Sequence, residues 1–270
     1  MTTVASGAGA ERIAHAFHVA RQEGRCALVT YLTAGYPSLG DSPALLAALA
    51  RGGADVIELG VPFSDPVADG PAIQTASQAA LQAGVTPRAC LSLVMGARAA
   101  GLAAPVLLMG YYNPILAYGL LEYAADCAAA GVDGLIVPDL PPEEAGALRQ
   151  ACAERGLALV YLVAPTTAPQ RAAEIAAATQ GFLYVVSRLG TTGAALAVDD
   201  SLRARLAALR GVAHTPIAVG FGVSEPAQAR ALADLADGVI VGSAIVQRAP
   251  QGGAAVEVLV AGLRAALVRR

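Results

Sequence analysis

Residues 54–71 read ADVIELGVPFSDPVADGP, and the interpretation of the whole chain begins from this stretch. Its short apolar run, residues 56–59, has the length of a buried strand but contains the carboxylate of Glu58. An ionised carboxylate loses solvation among apolar neighbours, so Glu58 must be paired, be reached by water or ligand, or have a raised pKa. A general acid or base requires an environment of this kind. The ordinary alternative is that Glu58 lies at a strand end and either faces solvent or pairs with an arginine.

Short apolar runs and alanine-rich helical stretches alternate along the 270 residues, which is typical of parallel βα units. Eight strands are predicted, at residues 27–31, 56–59, 105–109, 134–137, 159–163, 182–186, 217–219 and 238–241. A helix at residues 11–23 precedes them, and further helices are predicted at residues 43–51, 87–100, 116–130, 143–155, 169–178, 202–209, 226–236 and 254–269. We therefore expect an α/β protein with one domain, residues 1–270, folded as a single (β/α)8 TIM barrel with an extra N-terminal helix. An open doubly wound sheet is the alternative.

The composition excludes several classes of function. The net charge of −3 leaves no basic face for nucleic acid, and no apolar run reaches the ~18 residues of a membrane span. All 18 residues of the lysine and arginine group are arginine, so chemistry through a lysine imine is excluded. The four cysteines and three histidines fit no disulfide or metal pattern, and residues 1–10 do not resemble an export signal. A cytoplasmic protein without a bound metal is expected.

Polar and small residues are concentrated in the segments that follow the predicted strands. In a TIM barrel these segments lie at the C-terminal ends of the strands, where such enzymes carry their chemistry. The segment after strand six continues in small residues to Asp200 and is long enough for a mobile lid. An ordinary turn would explain any one of these glycines or prolines. The segments taken together favour a functional site. The set comprises residues 33–37, 58–71, 110–114, 138–142 and 187–193.

The last two predicted strands end in glycine-containing segments, GFGVS at 220–224 and GSAIV at 242–246. Glycine lets the backbone approach a ligand closely, and a short helix after Gly242 would direct free N–H groups at an anion. TIM barrels commonly bind phosphate after strands seven and eight. The sequence therefore predicts a phosphate-binding helix after strand eight, at a site that requires no lysine; two tight structural turns are the alternative.

Residues 58–71, ELGVPFSDPVADGP, closely resemble the signature of the tryptophan synthase alpha subunit family. Other segments with the same resemblance follow in order, so that it extends from about residue 11 to the C-terminus. They are YLTAG at 31–35, GYYNP at 110–114, SRLGTTG at 187–193, and the two glycine segments. Thr191 is a departure, since a valine is more usual at this position of the family.

The resemblance implies a carbon–carbon lyase of tryptophan biosynthesis, with no cofactor in this subunit. The implied reaction is the retro-aldol cleavage of indole-3-glycerol phosphate to indole and glyceraldehyde 3-phosphate. Glu58 matches the family's catalytic glutamate, which is proposed to move protons. Asp69 matches the carboxylate that binds the indole N–H and stabilises positive charge on the ring.

The resemblance also implies the residues that bind the substrate. Four positions surround the indole, although each could equally be barrel core: Tyr31, Met109, Ile136 and Tyr184. Tyr111 fits a residue close to the glycerol chain, and Thr192 matches the threonine of the lid. The phosphate site matches the backbone N–H groups of Gly193, Gly222, Gly242 and Ser243, with the Ser243 hydroxyl as a further donor.

A partner is implied as well, a β subunit that uses pyridoxal phosphate to join indole to serine, in an α2β2 heterotetramer. Asp65 lies in the segment that would face this subunit, and we expect it at or near the contact; a helix cap or turn residue is the alternative. Three other functions remain open. They are a phosphate-handling isomerase of histidine or tryptophan synthesis, a free-standing lyase that releases indole, and a non-catalytic subunit that binds the ligand to regulate another protein.

Overall fold

The computed structural model describes residues 7–187, 198–220 and 222–269. Its strands all pair in parallel within one sheet. In the described part of the chain they are β1 (Ala27–Thr33), β2 (Val56–Gly60), β3 (Val106–Met109), β4 (Gly134–Ile136), β5 (Ala158–Val160), β6 (Leu162–Val163), β7 (Leu183–Val186), β8 (Ile217–Gly220) and β9 (Gly238–Val241). Nearly every strand residue is buried, as expected for a parallel sheet that is covered on both faces.

The sheet order shows that these strands form a barrel. Neighbouring strands run β5-β4-β3-β2-β1-β9-β8-β7-β6, so the two ends of the order are β5 and β6. These two strands are separated by Tyr161 alone, whose backbone N–H donates to the hydroxyl of Thr179 (3.0 Å) and whose carbonyl accepts from the N–H of Tyr184 (3.1 Å). The fifth strand predicted from the sequence is therefore interrupted at Tyr161, and the nine short strands make the eight-stranded TIM barrel that was predicted.

Helices surround the barrel. Those in the described residues are α1 (Ala8–Gln22), α2 (Ser42–Arg51), α3 (Pro71–Gln82), α4 (Pro87–Ala99), α5 (Tyr112–Tyr118), α6 (Leu120–Ala130), α7 (Gly146–Glu154), α8 (Pro169–Ala178), α9 (Asp200–Arg210), α10 (Pro226–Ala233), α11 (Ser243–Arg248) and α12 (Gly253–Ala266). The short helix α11 is the one predicted after strand eight. No described helix is both long and apolar enough to cross a membrane.

Two helices differ from the sequence predictions. No helix is predicted where α3 forms, although Gly70 at its N-cap and Pro71 at its first position are a recognised helix start. The helix predicted at residues 116–130 is two helices, because Gly119 has φ +100° and separates α5 from α6. A residue with a Cβ adopts such a backbone conformation only with strain, so glycine allows the chain to change direction here.

The side chains are buried in two clusters. The outer cluster lies between strands and helices, and includes Leu28, Ile57 and Leu59. The inner cluster fills the barrel, and includes Val29, Tyr31, Leu107 and other side chains that alternate with the outer ones along the strands. This alternation places Glu58, between Ile57 and Leu59, on the inner face of β2.

Helix α1 closes the lower end of the barrel, where the strands begin. Ile13 and Phe17 are almost fully buried in the inner cluster, and the Phe17 ring lies 5.5 Å from that of Phe182. A Cβ added to Gly9 would lie 1.9 Å from the carbonyl oxygen of Asp133, so this turn of α1 is in direct contact with the chain entering β4. The extra N-terminal helix therefore plugs the barrel instead of joining the outer ring.

Candidate active site

The upper end of the barrel contains a cavity of about 360 Å³, within the size range of small-molecule sites. Its walls combine apolar side chains, namely Ile73, Met109 and Ile240, with carboxylates and glycine backbone. Eight of the residues predicted to form the site line the cavity: Tyr31, Glu58, Asp69, Met109, Tyr184, Gly222, Gly242 and Ser243. The structure thus brings together predicted residues from four strands, three loops and the start of α11.

Glu58 has no exposed surface, and neither carboxylate oxygen has a hydrogen-bond partner among the described residues. Burial raises its pKa from 4.5 to about 8, because the charged form is poorly solvated inside the barrel. Tyr31 of β1 and Leu107 of β3 are its direct neighbours across the sheet. Glu58 is therefore protonated for most of the time at neutral pH and is free to interact with a molecule in the cavity.

Asp69 lies in the loop between β2 and α3, directly before the N-cap of α3, and is 8% exposed. Burial raises its pKa to about 6, and a hydrogen bond from the Tyr111 hydroxyl opposes this rise. Gln74 of α3 donates to the Asp69 backbone carbonyl (2.8 Å), which fixes the loop against the helix that follows. At neutral pH Asp69 is mostly ionised, so the cavity holds one neutral and one charged carboxyl group.

Two tyrosines reach into the cavity over glycines. A Cβ on Gly60 would lie 2.0 Å from the Tyr31 hydroxyl, and one on Gly220 would lie 2.6 Å from the Tyr184 hydroxyl. Burial raises the pKa of both phenols well above the usual value, so both stay neutral. The close approach explains why glycine ends β2 and β8, and it was not predicted from the sequence.

Three of the residues predicted to bind phosphate, Gly222, Gly242 and Ser243, line the cavity. Gly222 has φ +87°, a conformation that glycine adopts without strain. Gly242 is the N-cap of α11, and Ser243 is its first residue. The Ser243 hydroxyl is buried and has no hydrogen-bond partner among the described residues, which suits a donor that awaits a ligand.

Two predicted substrate residues, Tyr111 and Ile136, are not among the residues that line the cavity. The Tyr111 hydroxyl accepts from the N–H of Ala68 (3.0 Å), and its ring packs on Phe63 with centroids 5.3 Å apart. Tyr111 thus supports the Asp69 loop. Ile136 is fully buried in the inner cluster. Thr192 and Gly193 lie outside the described residues, so their predicted roles stay predictions.

Asp65 is exposed at the surface of the same loop and does not line the cavity. The Ser64 hydroxyl donates to its carboxylate, and Val67 beside it is 82% exposed. The loop therefore offers an apolar side chain and a carboxylate to solvent next to the opening of the barrel.

Several lining residues were not identified from the sequence. They are Ala68, Ile73, Val223, Ser224, Glu225, Gln228, Ile240, Ala244 and Gln247. Ile240 could have been found from the alternation of inner and outer residues along β9. Ile73 lies on α3, and Gln228 lies in the first turn of α10, so their positions depend on helix packing that the local sequence does not reveal.

The fold and the cavity define the class of the protein. It is a TIM-barrel enzyme with two buried carboxyl groups and glycine backbone around a cavity at the C-terminal ends of its strands. The sequence profile of the family described as "Tryptophan synthase alpha chain" matches residues 17–266. The chain belongs to this family.

Individual relatives agree with the family match. The tryptophan synthase alpha chain of Chloroflexus aurantiacus is 49% identical over 237 residues, which cover 88% of this chain and 89% of the relative. The tryptophan synthase of Saccharomyces cerevisiae is 46% identical over 246 residues, covering 90% of this chain but 35% of the yeast protein. A solved structure of Mycobacterium tuberculosis tryptophan synthase superposes with a TM-score of 0.90 at 40% identity, covering 96% of this chain and 99% of that one.

These findings confirm the resemblance seen in the sequence. They also confirm the TIM-barrel fold and the enzyme class, a carbon–carbon lyase that acts on indole-3-glycerol phosphate in tryptophan biosynthesis. The roles of the individual cavity residues have to be inferred from the chemistry of the cavity.

Proposed function

We propose that the cavity cleaves indole-3-glycerol phosphate by a retro-aldol reaction, with Glu58 and Asp69 as the catalytic residues. The observation that carries this proposal is that the two carboxyl groups line one cavity with pKa values of about 8 and about 6. One is thus an acid and the other an anion at neutral pH, and carboxyl groups held in different states are how such sites divide the work of proton transfer and charge stabilisation.

Glu58 moves the proton. Its carboxyl group donates a proton to C3 of the indole, which places positive charge on the ring nitrogen. The bond from C3 to the glycerol chain then breaks, its electron pair returns to the ring, and the glycerol hydroxyl loses its proton to the Glu58 carboxylate. Glu58 ends protonated, as it began. The net step oxidises nothing, so no redox cofactor is required.

Asp69 stabilises the charge that develops on the ring. An ionised carboxylate that accepts a hydrogen bond from the indole N–H strengthens this contact as the ring becomes cationic, and the effect is large inside a buried site. Its position between Gln74 and Tyr111 keeps the carboxylate directed at the cavity. Ile73, Met109 and Ile240 supply the apolar surface that an indole ring requires.

The phosphate group binds at the opposite end, at Gly222, Gly242 and Ser243. No arginine or histidine is among the described lining residues, whereas Glu58, Asp69 and Glu225 are. Among the described residues, the donors available to an anion are therefore backbone N–H groups and the Ser243 hydroxyl. Thr192 and Gly193 complete the lid and the phosphate site in this proposal.

The product indole passes to a tryptophan synthase β subunit that carries pyridoxal phosphate, in an α2β2 assembly. Two comparisons support this partner: the M. tuberculosis structure is named for tryptophan synthase, and the yeast protein joins a matching segment to further sequence under the same name. The partner covers the mouth of the barrel, where Asp65 and Val67 are exposed on the loop that carries Asp69. The whole chain, residues 1–270, acts as one cytoplasmic domain.

The test follows release of glyceraldehyde 3-phosphate from indole-3-glycerol phosphate, with and without the matching β subunit. We expect cleavage by the isolated chain and a faster rate in the complex. A partner that binds better to the conformation with the lid closed shifts the population toward that conformation. Asp65→Ala should lose part of the activation and keep the basal rate. A β subunit that forms no complex, or that binds without raising the rate, would favour a free-standing lyase.

A further inference from the structure

The turn between β8 and α10 forms the wall at the phosphate end of the cavity. Gly222, Val223 and Ser224 line this wall in succession. Among the described residues, no acceptor is hydrogen bonded to the backbone N–H of Gly222 or Val223, nor to that of Gly242 or Ser243 across the cavity. Four backbone donors are therefore left for an anion, provided that the turn keeps its conformation.

A single side-chain oxygen holds this turn. Oε1 of Gln228 accepts from the backbone N–H of Ser224 (2.7 Å), from the Ser224 hydroxyl (3.1 Å) and from the backbone N–H of Glu225 (3.1 Å). Gln228 is half-buried in the first turn of α10, so its side chain is anchored by a helix. The backbone N–H groups of Ser224 and Glu225 are thus fixed, whereas those of Gly222 and Val223 are not hydrogen bonded to a described residue.

Ordinary helix capping would account for the bond to the N–H of Glu225, the N-cap residue of α10. It does not account for the two bonds to Ser224, which lies one residue before the cap. Those bonds connect the helix to the turn that carries Gly222, a residue with φ +87° whose lack of a Cβ makes the turn conformationally permissive. A permissive turn beside a ligand needs an anchor, and Gln228 is the side chain that supplies one.

We propose that Gln228 is a positioning residue for the substrate phosphate: its Oε1 fixes the Ser224–Glu225 backbone so that the N–H groups of Gly222 and Val223 face the anion. The inference rests on the proposed function, because it takes the phosphate of indole-3-glycerol phosphate as the anion. Gln228 does not touch the reacting carbon atoms. Its loss therefore weakens binding of every phosphate ligand at this site and leaves the chemical step unchanged.

The experiment compares Gln228→Met, which keeps the length of the side chain without a strong acceptor, with the wild-type protein. KM for indole-3-glycerol phosphate is expected to rise about tenfold, the scale of one well-made hydrogen bond to a charged group, with kcat within about twofold. The Kd for inorganic phosphate, measured by calorimetry, should rise by the same factor. Gln150→Met is the matched control, since Gln150 is exposed on α7 and its side chain donates to Glu154 on the same helix.

Each outcome decides between positioning and capping. A lower melting temperature of Gln228→Met with unchanged KM and unchanged phosphate Kd would show that Gln228 is only a helix cap. Ser224→Ala removes one of the three donors at an exposed position, and its phosphate Kd should rise about twofold; this variant decides the question if Gln228→Met does not fold. Because phosphate binding is measured without the reaction, a wild-type protein that binds phosphate but cleaves nothing would refute the proposed function and not the role of Gln228.

Discussion

Replacing Glu58 by glutamine tests the catalytic proposal and the burial of this carboxyl group in one variant. The amide has nearly the same shape as the acid, so the barrel should keep its packing. It cannot donate and recover a proton as Glu58 does, so turnover of indole-3-glycerol phosphate should fall by at least ~10²-fold, the usual effect of losing a general acid or base.

The same substitution has a calculable effect on stability. The pKa of Glu58 is raised from 4.5 to about 8, so between these pH values the unfolded chain ionises this group while the folded chain keeps it protonated. Folding stability from this group is complete below pH 4.5 and is lost as the pH rises through about 8, at about 1.4 kcal/mol per pH unit. The total loss is on the order of 5 kcal/mol.

A glutamine at position 58 does not titrate, so the variant does not lose this folding stability as the pH rises. Denaturant unfolding should therefore show the Glu58→Gln protein more stable than the wild type at about pH 9, and the difference should disappear towards about pH 4. The rate assay and the unfolding curves use the same two proteins. Near-normal turnover would remove Glu58 from the mechanism, and a stability difference that does not change with pH would refute the raised pKa.

Four further outcomes are expected. Asp69→Asn should lose at least ~10²-fold in turnover, because an amide cannot stabilise the ring cation; an unaffected rate would leave Glu58 acting alone. In the wild type, kcat/KM should rise through pH about 6 as Asp69 ionises and fall through pH about 8 as Glu58 loses its proton, and a flat profile would contradict both assignments. Gly222→Asp should raise KM far more than Gly222→Ala, which shares the backbone strain but not the charge; equal effects on KM and melting temperature would indicate a structural glycine. Arg25→Met should destabilise the fold by about 3–5 kcal/mol, because Arg25 is 4% exposed and binds the carboxylate of Asp55 at 2.5 and 2.7 Å, whereas Arg51→Met at an exposed ion pair should cost about 1 kcal/mol or less in chemical denaturation.

The sequence was sufficient for the barrel because its strands are continuous apolar runs separated by helical stretches. It was less informative where a polar helix or a glycine broke the pattern. The helix α3 contains Gln74, Thr75 and Gln78 among small residues, so its helical period is weak, and Gly119 divided a stretch that reads as one helix.

For the site, motif and chemistry identified the carboxyl groups and the glycines, because an acid in a buried strand is unusual at the level of sequence. The supporting contacts could not be identified in this way. The hydrogen bonds of Gln228 to the 224–225 backbone, and the support that Tyr111 gives to the Asp69 loop, depend on where helices and loops come to lie. The predicted role of Tyr111 beside the glycerol chain stays a prediction, and its contact with the Asp69 loop was not foreseen.

The plug formed by α1 determines at which end of the barrel molecules can exchange. Ile13 and Phe17 fill the lower end of the barrel, so substrate and products share the upper opening. The two products are an apolar ring and a charged, phosphorylated aldehyde, and they leave through this opening one after the other. The next substrate can bind only when the second product has left. A partner seated over that opening would regulate arrival and departure together, which makes the throughput of the barrel a property of the assembly and not of the isolated chain.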